Sequence, residues 1–427
     1  MELVHELTLS SPGLRQLRTP APAVSVRCET DILDAILQAR LARTTVRAVG
    51  SRGSKNACYQ TEGTALYLDD YNQVLAIDGS RVTVQAGITC GRLNETLWEH
   101  GLSLPTQGEW QGATIGGALA TGVHGGALGH GILPTSVTSL RLVTGTGTAI
   151  DIHRGTETFN RLAVSLGLYG VTSTVTFDCV PASYLELHSE VVGIGDFLRD
   201  LESLTGGNEF FSAVWIPGTR QVITWTANPA APPPQVIPRR QRYSFGVTMA
   251  HLLSQRLGVR ELPRGPFTTR AVDASHRILT PIGQGSRVTR IVRGVTRHWR
   301  EAEFAVPMER AGEAVTRLEE LVSRYPDTLT VPVGLRPTAA DGFSLSPCRG
   351  RESFWIAVFY RDRNGFGDAL SGLLEDLDGR NHWGKYPNLP ADHLKRQYPE
   401  WDELGAMRRQ HDPNGVFVNA FSERFTP

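Results

Sequence analysis

The chain has 427 residues, with 43 Lys and Arg against 43 Asp and Glu, and a formal net charge of zero. No global field therefore draws it to nucleic acid or to an anionic membrane surface, and a small-molecule partner is expected. At this length, two domains or one elaborate domain with an insertion bury a substantial core.

The opening segment, MELVHELTLSSPGLRQL, lacks a basic stretch followed by an apolar core. No apolar run reaches the roughly 18 residues of a membrane span. The expectation is a cytoplasmic protein with no membrane partner. Cys28, Cys58, Cys90, Cys179 and Cys348 are scattered without CxxC spacing, which argues against a zinc site and against a disulfide framework. Lys55, Lys385 and Lys395 are the three lysines among these cations, so each stands out.

Residues 31–43, DILDAILQARLAR, place Ile32, Ile36, Leu37 and Leu41 near helical spacing, and TTVRAVG then reads as a buried strand. That strand runs into RAVGSRGSKNACY, where Gly50 and Gly53 flank Ser51 and Arg52 much as in a turn that holds a phosphate. The run ALYLDDYNQVLAIDGSRVTVQAG alternates over two short strands, and Thr89 to His100 forms a helix stopped by Gly101.

From Gly108 to Gly131, nine of 24 residues are glycine. That density would ruin a regular helix or strand. It suits a wall around a large flat or phosphorylated cofactor, because glycine lets backbone N–H groups approach a ligand and adopt positive φ. From Tyr184 to about Leu374 the strands and helices lengthen, interrupted by NPAAPPPQVIPRR, Asn228 to Arg240, which reads as a surface loop of a second domain. The tail returns to short glycine-punctuated pieces, GRNHWGKYPNLP and DPNGVFVNAF, and no internal repeat is found.

No GxGxxG follows a strand and no GxxxxGK[ST] or GxSxG occurs, which removes the Rossmann, P-loop and nucleophile-elbow readings. His124 and His130 are six apart in the glycine loop without a clustered cysteine or carboxylate, so no metal is expected there.

The order of VRAVGSRGSKN, VTVQAGITCGRLNETLWEHGLSLPTQGEWQGATIGGALATGVHGG, SLGLYGVTSTVTFDCVP, HWGKYP and DPNGVFVNAF resembles the FAD-linked oxidases of the vanillyl-alcohol-oxidase fold. Within them it is most similar to the sugar-lactone and alditol oxidases, over nearly the whole chain. The resemblance implies an α+β fold with a PCMH-type FAD-binding domain of two subdomains over residues 1–181. A substrate domain with an antiparallel sheet flanked by helices would span 182–375, and residues 376–427 would return to the FAD domain.

The implied activity is removal of hydride from a CH–OH or CH–NH carbon by an FAD-dependent oxidoreductase, a monomer or weak dimer, with dioxygen or another electron acceptor. In that scheme Gly50, Ser51, Arg52, Gly53 and Ser54 wrap the pyrophosphate. Thr114, Gly116, Gly117, Thr121, Gly122, His124 and Gly125 line the flavin and its phosphates, and Gly170, Val171 and Lys385 complete the cofactor site.

Two departures from the family pattern carry expectations. The flavin-linking histidine of G-x-x-H-S falls on Gly53, which has no nucleophile, and the spacing of Cys58 does not suit it as a substitute. FAD is therefore expected to bind noncovalently. In the E-x-R pair before AADxxxLSP, Arg336 is kept but Gly334 replaces the glutamate. On RESFWIAVFY, period-two alternation puts Trp355, Ala357 and Phe359 on one face, where alditol oxidases present a histidine and a threonine, although the same alternation describes ordinary core.

Together with His382, these residues are expected to form an apolar pocket for a larger or more apolar metabolite. Xylitol, sorbitol and simple aldonolactones are expected to be poor substrates. Lys385, in HWGK, is expected to stabilise charge arriving at flavin N1–C2=O. Glu301, in HWREAEFAVP, is the candidate general base, no other acid being in view. Two other readings stay open: a flavoprotein with a non-redox role in a cyclisation or elimination, and a binding protein without FAD.

Overall fold

The computed structural model describes residues 22–232, 300–325, 328–329, 332–386 and 389–425, together with the backbone of the strand at 265–273. The Pro-rich loop expected up to Arg240 lies outside the described residues beyond position 232. Among the described residues no helix is long and apolar enough to cross a membrane.

Strands Ala23–Ser25, Thr64–Tyr67 and Val46–Val49 form a parallel three-stranded sheet in that order. The helix Glu29–Ala42 covers it through Ile32, Ala35, Ile36 and Ala39. Leu37 and Leu41, expected on its buried face, point outward and are exposed, because the 32/35/36/39 stripe already fills the contact.

A second, antiparallel sheet runs Val74–Asp78, Arg81–Gln85, Gly170–Asp178, Val137–Thr144 and Ala149–His153. Residues 65–87 thus contribute to three strands, not two. The first pairs in parallel, and the other two form a hairpin with Asp78 opposite Arg81 and Gly79 at φ +57°. The glycine-rich stretch also holds a short helix, Ile115–Ala120. Gly116 fits there because it lies on Ala86, where a side chain would crowd Ala86 Cβ at 3.1 Å. Glycine density excludes long elements in this stretch, not all elements.

The third sheet has eight antiparallel strands in the order Gly265–Asp273, Tyr184–Gly193, Gln221–Ala230, Phe210–Trp215, Val333–Thr338, Ser353–Tyr360, Arg300–Pro307 and Arg380–Asn381. Alternation sends Phe211, Phe304, Leu335, Ile356 and Val358 to one face. They pack there with Phe197, Leu318 and Leu370 of the helices Ile194–Gly206, Ala311–Arg324 and Phe366–Asp376. The architecture is α+β, with small sheets in the first part of the chain and an eight-stranded antiparallel sheet flanked by helices in the second.

The C-terminal segment ties these parts together. Arg380–Asn381 pairs with Phe304 and Ala305, and the His382 and Tyr386 amides donate to the carbonyls of Glu303 (2.8 Å) and Glu301 (2.9 Å). From the other side, the Asn56 side-chain amide donates to the carbonyls of Trp383 (2.7 Å) and Lys385 (3.0 Å).

Arg47 anchors the chain further on. Its buried guanidinium donates to the carbonyls of Cys58 (2.9 Å), Gly167 and Phe417 (both 3.0 Å) and Leu166. Burial lowers its pKa to about 10. Replacing Arg47 with Met strips donors from four carbonyls, three of them buried and each of those worth about 1–3 kcal/mol when left unmet. A thermal unfolding midpoint at least about 5 °C below the parent is expected. A midpoint within a degree of it would show that water takes over these acceptors.

Candidate active site

The face of the eight-stranded sheet opposite its helices carries the chemistry. Register pairs Glu301 with Phe359, Glu303 with Ala357, Ala357 with Gly334, and Trp355 with Arg336, so all seven lie on that one face. The period-two reading of the Ser353–Tyr360 strand holds.

Arg336 does not stand alone on this surface. Its Nη2 is 2.7 Å from Glu303 Oε1 and its Nη1 is 3.0 Å from Glu109 Oε1. The expectation that no acid besides Glu301 is at hand is therefore corrected. Glu303 sits two residues along the same strand face, and Glu109 arrives from the glycine-rich loop. Alternation on HWREAEFAVP was a usable signal for Glu303, whereas nothing local marked Glu109.

The other acid is already engaged. Lys385 Nζ pairs with Glu301 Oε1, and Lys55 Nζ lies 3.6 Å from Oε2. Burial alone would lower Lys385, but Glu301 and Glu303 raise it above its ordinary value, so it is an ammonium at neutral pH. Burial would raise Glu303, but His124 and Arg336 hold it well below the usual carboxylate range. Desolvation pushes Glu109 up in spite of Arg336.

His124 and Trp355 form the floor. Their rings stack with centroids 3.7 Å apart at 11°, and Trp355 Nε1 donates to Thr338 Oγ1 at 2.9 Å. Trp355 is fully buried, so it supports the site from below, whereas Phe359 keeps partial exposure. His124 Nε2 is 3.3 Å from Glu303 Oε1, and Nδ1 is 2.9 Å from the Gly125 carbonyl oxygen. His382 accepts the Gly384 amide at Nδ1 (3.0 Å), and burial lowers its pKa to about 3, which keeps it neutral.

Ligand-type atoms of His124, Glu303 and His382 lie within 4.8 Å of one another. Folding thus supplies the carboxylate that the sequence neighbourhood of His124 lacks, although Arg336 already holds it. His130 is elsewhere, bonded to Glu209 at 2.8 Å.

The expected cofactor residues divide into two groups. Gly50 lies so close to Thr114, and Gly53 to Trp110, that a Cβ at either would collide. The backbone of the 50–54 turn therefore packs directly against the Thr114 and Trp110 side chains of the glycine-rich loop. Arg52 adopts φ +55° and Gly122 φ +68°, Gly117 is exposed, and Thr121 Oγ1 donates to the Gly117 carbonyl (3.0 Å). Residues 50–54 all keep partial exposure. A left-handed residue within such a turn makes an anion-holding concavity of backbone amides, which fits the pyrophosphate of FAD. Gly170 and Val171 instead begin a core strand, and Val171 is buried with Val143, Val416 and Phe417.

Fold and site define an FAD-dependent oxidoreductase. The FAD-binding domain profile matches residues 20–153, and that of D-arabinono-1,4-lactone oxidase matches residues 175–425. The chain is 30% identical over 421 residues to L-gulono-1,4-lactone dehydrogenase of Mycobacterium tuberculosis, covering 97% of each. It is 28% identical to L-gulonolactone oxidase of Bos taurus over 92% of each, and 26% identical to alditol oxidase of a Streptomyces species over 84% of this chain and 85% of that one. Cholesterol oxidase from Brevibacterium sterolicum shares the fold, with a TM-score of 0.73 at 15% identity over 95% and 94% of the two chains. The chain belongs to the D-arabinono-1,4-lactone oxidase family.

The contact of Gly53 with Trp110 gives a test of the cradle. Gly53→Ala should destabilise by about 1–3 kcal/mol through overpacking, and the same change in a Trp110→Ala background should be nearly neutral. Equal shifts of the thermal midpoint in both backgrounds would show that the two residues do not compete for one volume.

Proposed function

We propose that the chain oxidises a hydroxyl-bearing carbon of a ring-shaped, hydroxylated substrate of the aldonolactone class, using noncovalent FAD. The observation that carries this reading is Arg336 clamped by Glu303 and Glu109 beside a shelf at Gly334, where an added Cβ meets only Ala357 Cβ at 3.4 Å. Three carboxylates with Arg336, Lys385 and Lys55 make this surface polar, so the expectation of an apolar pocket narrows to the shelf and Phe359. Lactones return as candidates, with room above Gly334 for a substituent that a linear alditol does not use. The similarity to lactone-oxidising relatives supports the same choice. With this reading go a division into residues 1–181, 182–375 and 376–427, and a cytoplasmic location.

When bound, FAD supplies the hydride acceptor. Residues 50–54 and Thr114 to Gly125 hold it, and Lys385 brings a fixed positive charge, kept in place by Glu301, to where negative charge arrives. Arg336 orients one substrate oxygen through its fork of donors. Trp355 and His124 stiffen the floor beneath it.

Noncovalent binding rests on Gly53 and on Trp110, which fills the space that a side chain there would need. Cys58 is buried, and burial pushes its thiol up, so it offers little thiolate. Acid precipitation should leave intact FAD in the supernatant. Flavin retained in the pellet would refute the noncovalent reading.

Anaerobic L-gulono-1,4-lactone should bleach the flavin faster than sorbitol or xylitol, and Lys385→Met should slow that reduction about 100-fold or more with a smaller effect on substrate dissociation. Sorbitol reducing the flavin as fast as the lactone would exclude the ring-substrate reading. A changed dissociation constant with an unchanged reduction rate would move Lys385 from catalysis to binding.

A further inference from the structure

Three carboxylates face the site, and they differ in what they can still do. Glu301 is held between Lys385 and Lys55 and its side chain is 11% exposed. Glu303 is 5% exposed, and its Oε1 already meets both Arg336 Nη2 and His124 Nε2. Glu109 has one cationic partner, Arg336, at 3.0 Å, and 39% of its side chain is accessible. Desolvation nonetheless raises its carboxyl in spite of that partner.

We propose that Glu109 is the general base of the reaction, taking the proton of the substrate hydroxyl; this rests on the oxidoreductase reading above. A base must be reachable and works best with a proton affinity raised toward neutrality. Glu109 is the most accessible of the three acids, meets Arg336 through one oxygen, and has a raised carboxyl. In the step, the substrate O–H bond breaks and its proton goes to a Glu109 oxygen. The electron pair of that bond forms the carbonyl, and the carbon-bound hydrogen leaves with its pair as hydride, for which FAD, when bound, would supply the acceptor.

Arg336 is placed to hold the same substrate oxygen, since it bonds Glu109 directly. The charged groups around Glu109 are Arg336 on the Val333–Thr338 strand, Glu303 and Glu301 on the Arg300–Pro307 strand, and Lys385 in the tail. Both glutamates raise its proton affinity and both cations lower it, after desolvation, which is the largest influence. As pH falls through this raised value Glu109 becomes protonated and cannot accept, so the reaction should have an acid limb set by Glu109.

The test uses the full-length, FAD-loaded protein and L-gulono-1,4-lactone in anaerobic stopped flow across pH. The wild type should show the acid limb. Glu109→Gln, which can still accept from Arg336, should reduce its flavin at least about 100-fold more slowly, with no such limb and little change in substrate dissociation. Glu109→Ala should regain rate with added acetate. An acid limb that survives in Glu109→Gln, or a loss confined to substrate affinity and not rescued by acetate, would make Glu109 only a partner of Arg336.

A second readout needs no substrate. In infrared pH titration of the oxidised protein, the wild-type minus Glu109→Gln difference spectrum should hold a carboxylic C=O band that persists to higher pH than those of ordinary glutamates. A difference spectrum without such a band would overturn the assignment. A lactone that leaves the wild-type flavin oxidised would count against the substrate class alone, while the infrared result still decides on Glu109.

Discussion

The site is organised around a buried guanidinium that cannot be left unpaired. Arg336 lies on one face of a sheet, where an isolated charge would be strongly unfavourable, and Gly334 beside it on the same strand face offers no acid. The structure meets the requirement from two other places: Glu303, one strand beyond the adjacent one, and Glu109, from a loop more than 200 residues away in sequence. Glu303 in turn draws in His124, and His124 stacks on Trp355. One charge-pairing requirement thereby sets the positions of side chains from four separate segments.

Lys385 depends on a different constraint, backbone pairing along the edge of the same sheet. The amides of His382 and Tyr386 bond the carbonyls of Glu303 and Glu301, whose side chains are the acids of the site. Asn56 and the Lys55 amide hold Trp383, Gly384 and Lys385 from the side of the first glycine turn. A segment near the C-terminus is thus held between the first glycine turn and the eight-stranded sheet. Its ammonium is positioned by main-chain hydrogen bonds on both sides, which resist displacement better than a lone surface ion pair would.

The cradle itself shows how one residue type at one position changes its neighbourhood. Gly53 admits Trp110 where any side chain would exclude it, and Gly112 is pressed against the same indole. A glycine at this position leaves a volume open, and here an aromatic ring fills that volume with dispersion contacts.

Much of this protein was determined by local sequence. Glycine density, turn chemistry and the order of short motifs specified an FAD-binding α+β fold, because each depends on a few consecutive residues and their allowed dihedral angles. Strand alternation likewise put Trp355, Ala357 and Phe359 on one face, and Glu303 beside Glu301. What local sequence could not decide was which of these faces is wet, or which charges meet. Trp355 proved to be floor because His124 stacks on it, and Val171 proved to be core because Val416 and Phe417 close over it. Glu109 belongs to the site only because the glycine-rich loop folds against Arg336. Charge pairing acts through space, over a few ångströms and hundreds of residues of chain, and so only the tertiary structure could settle it.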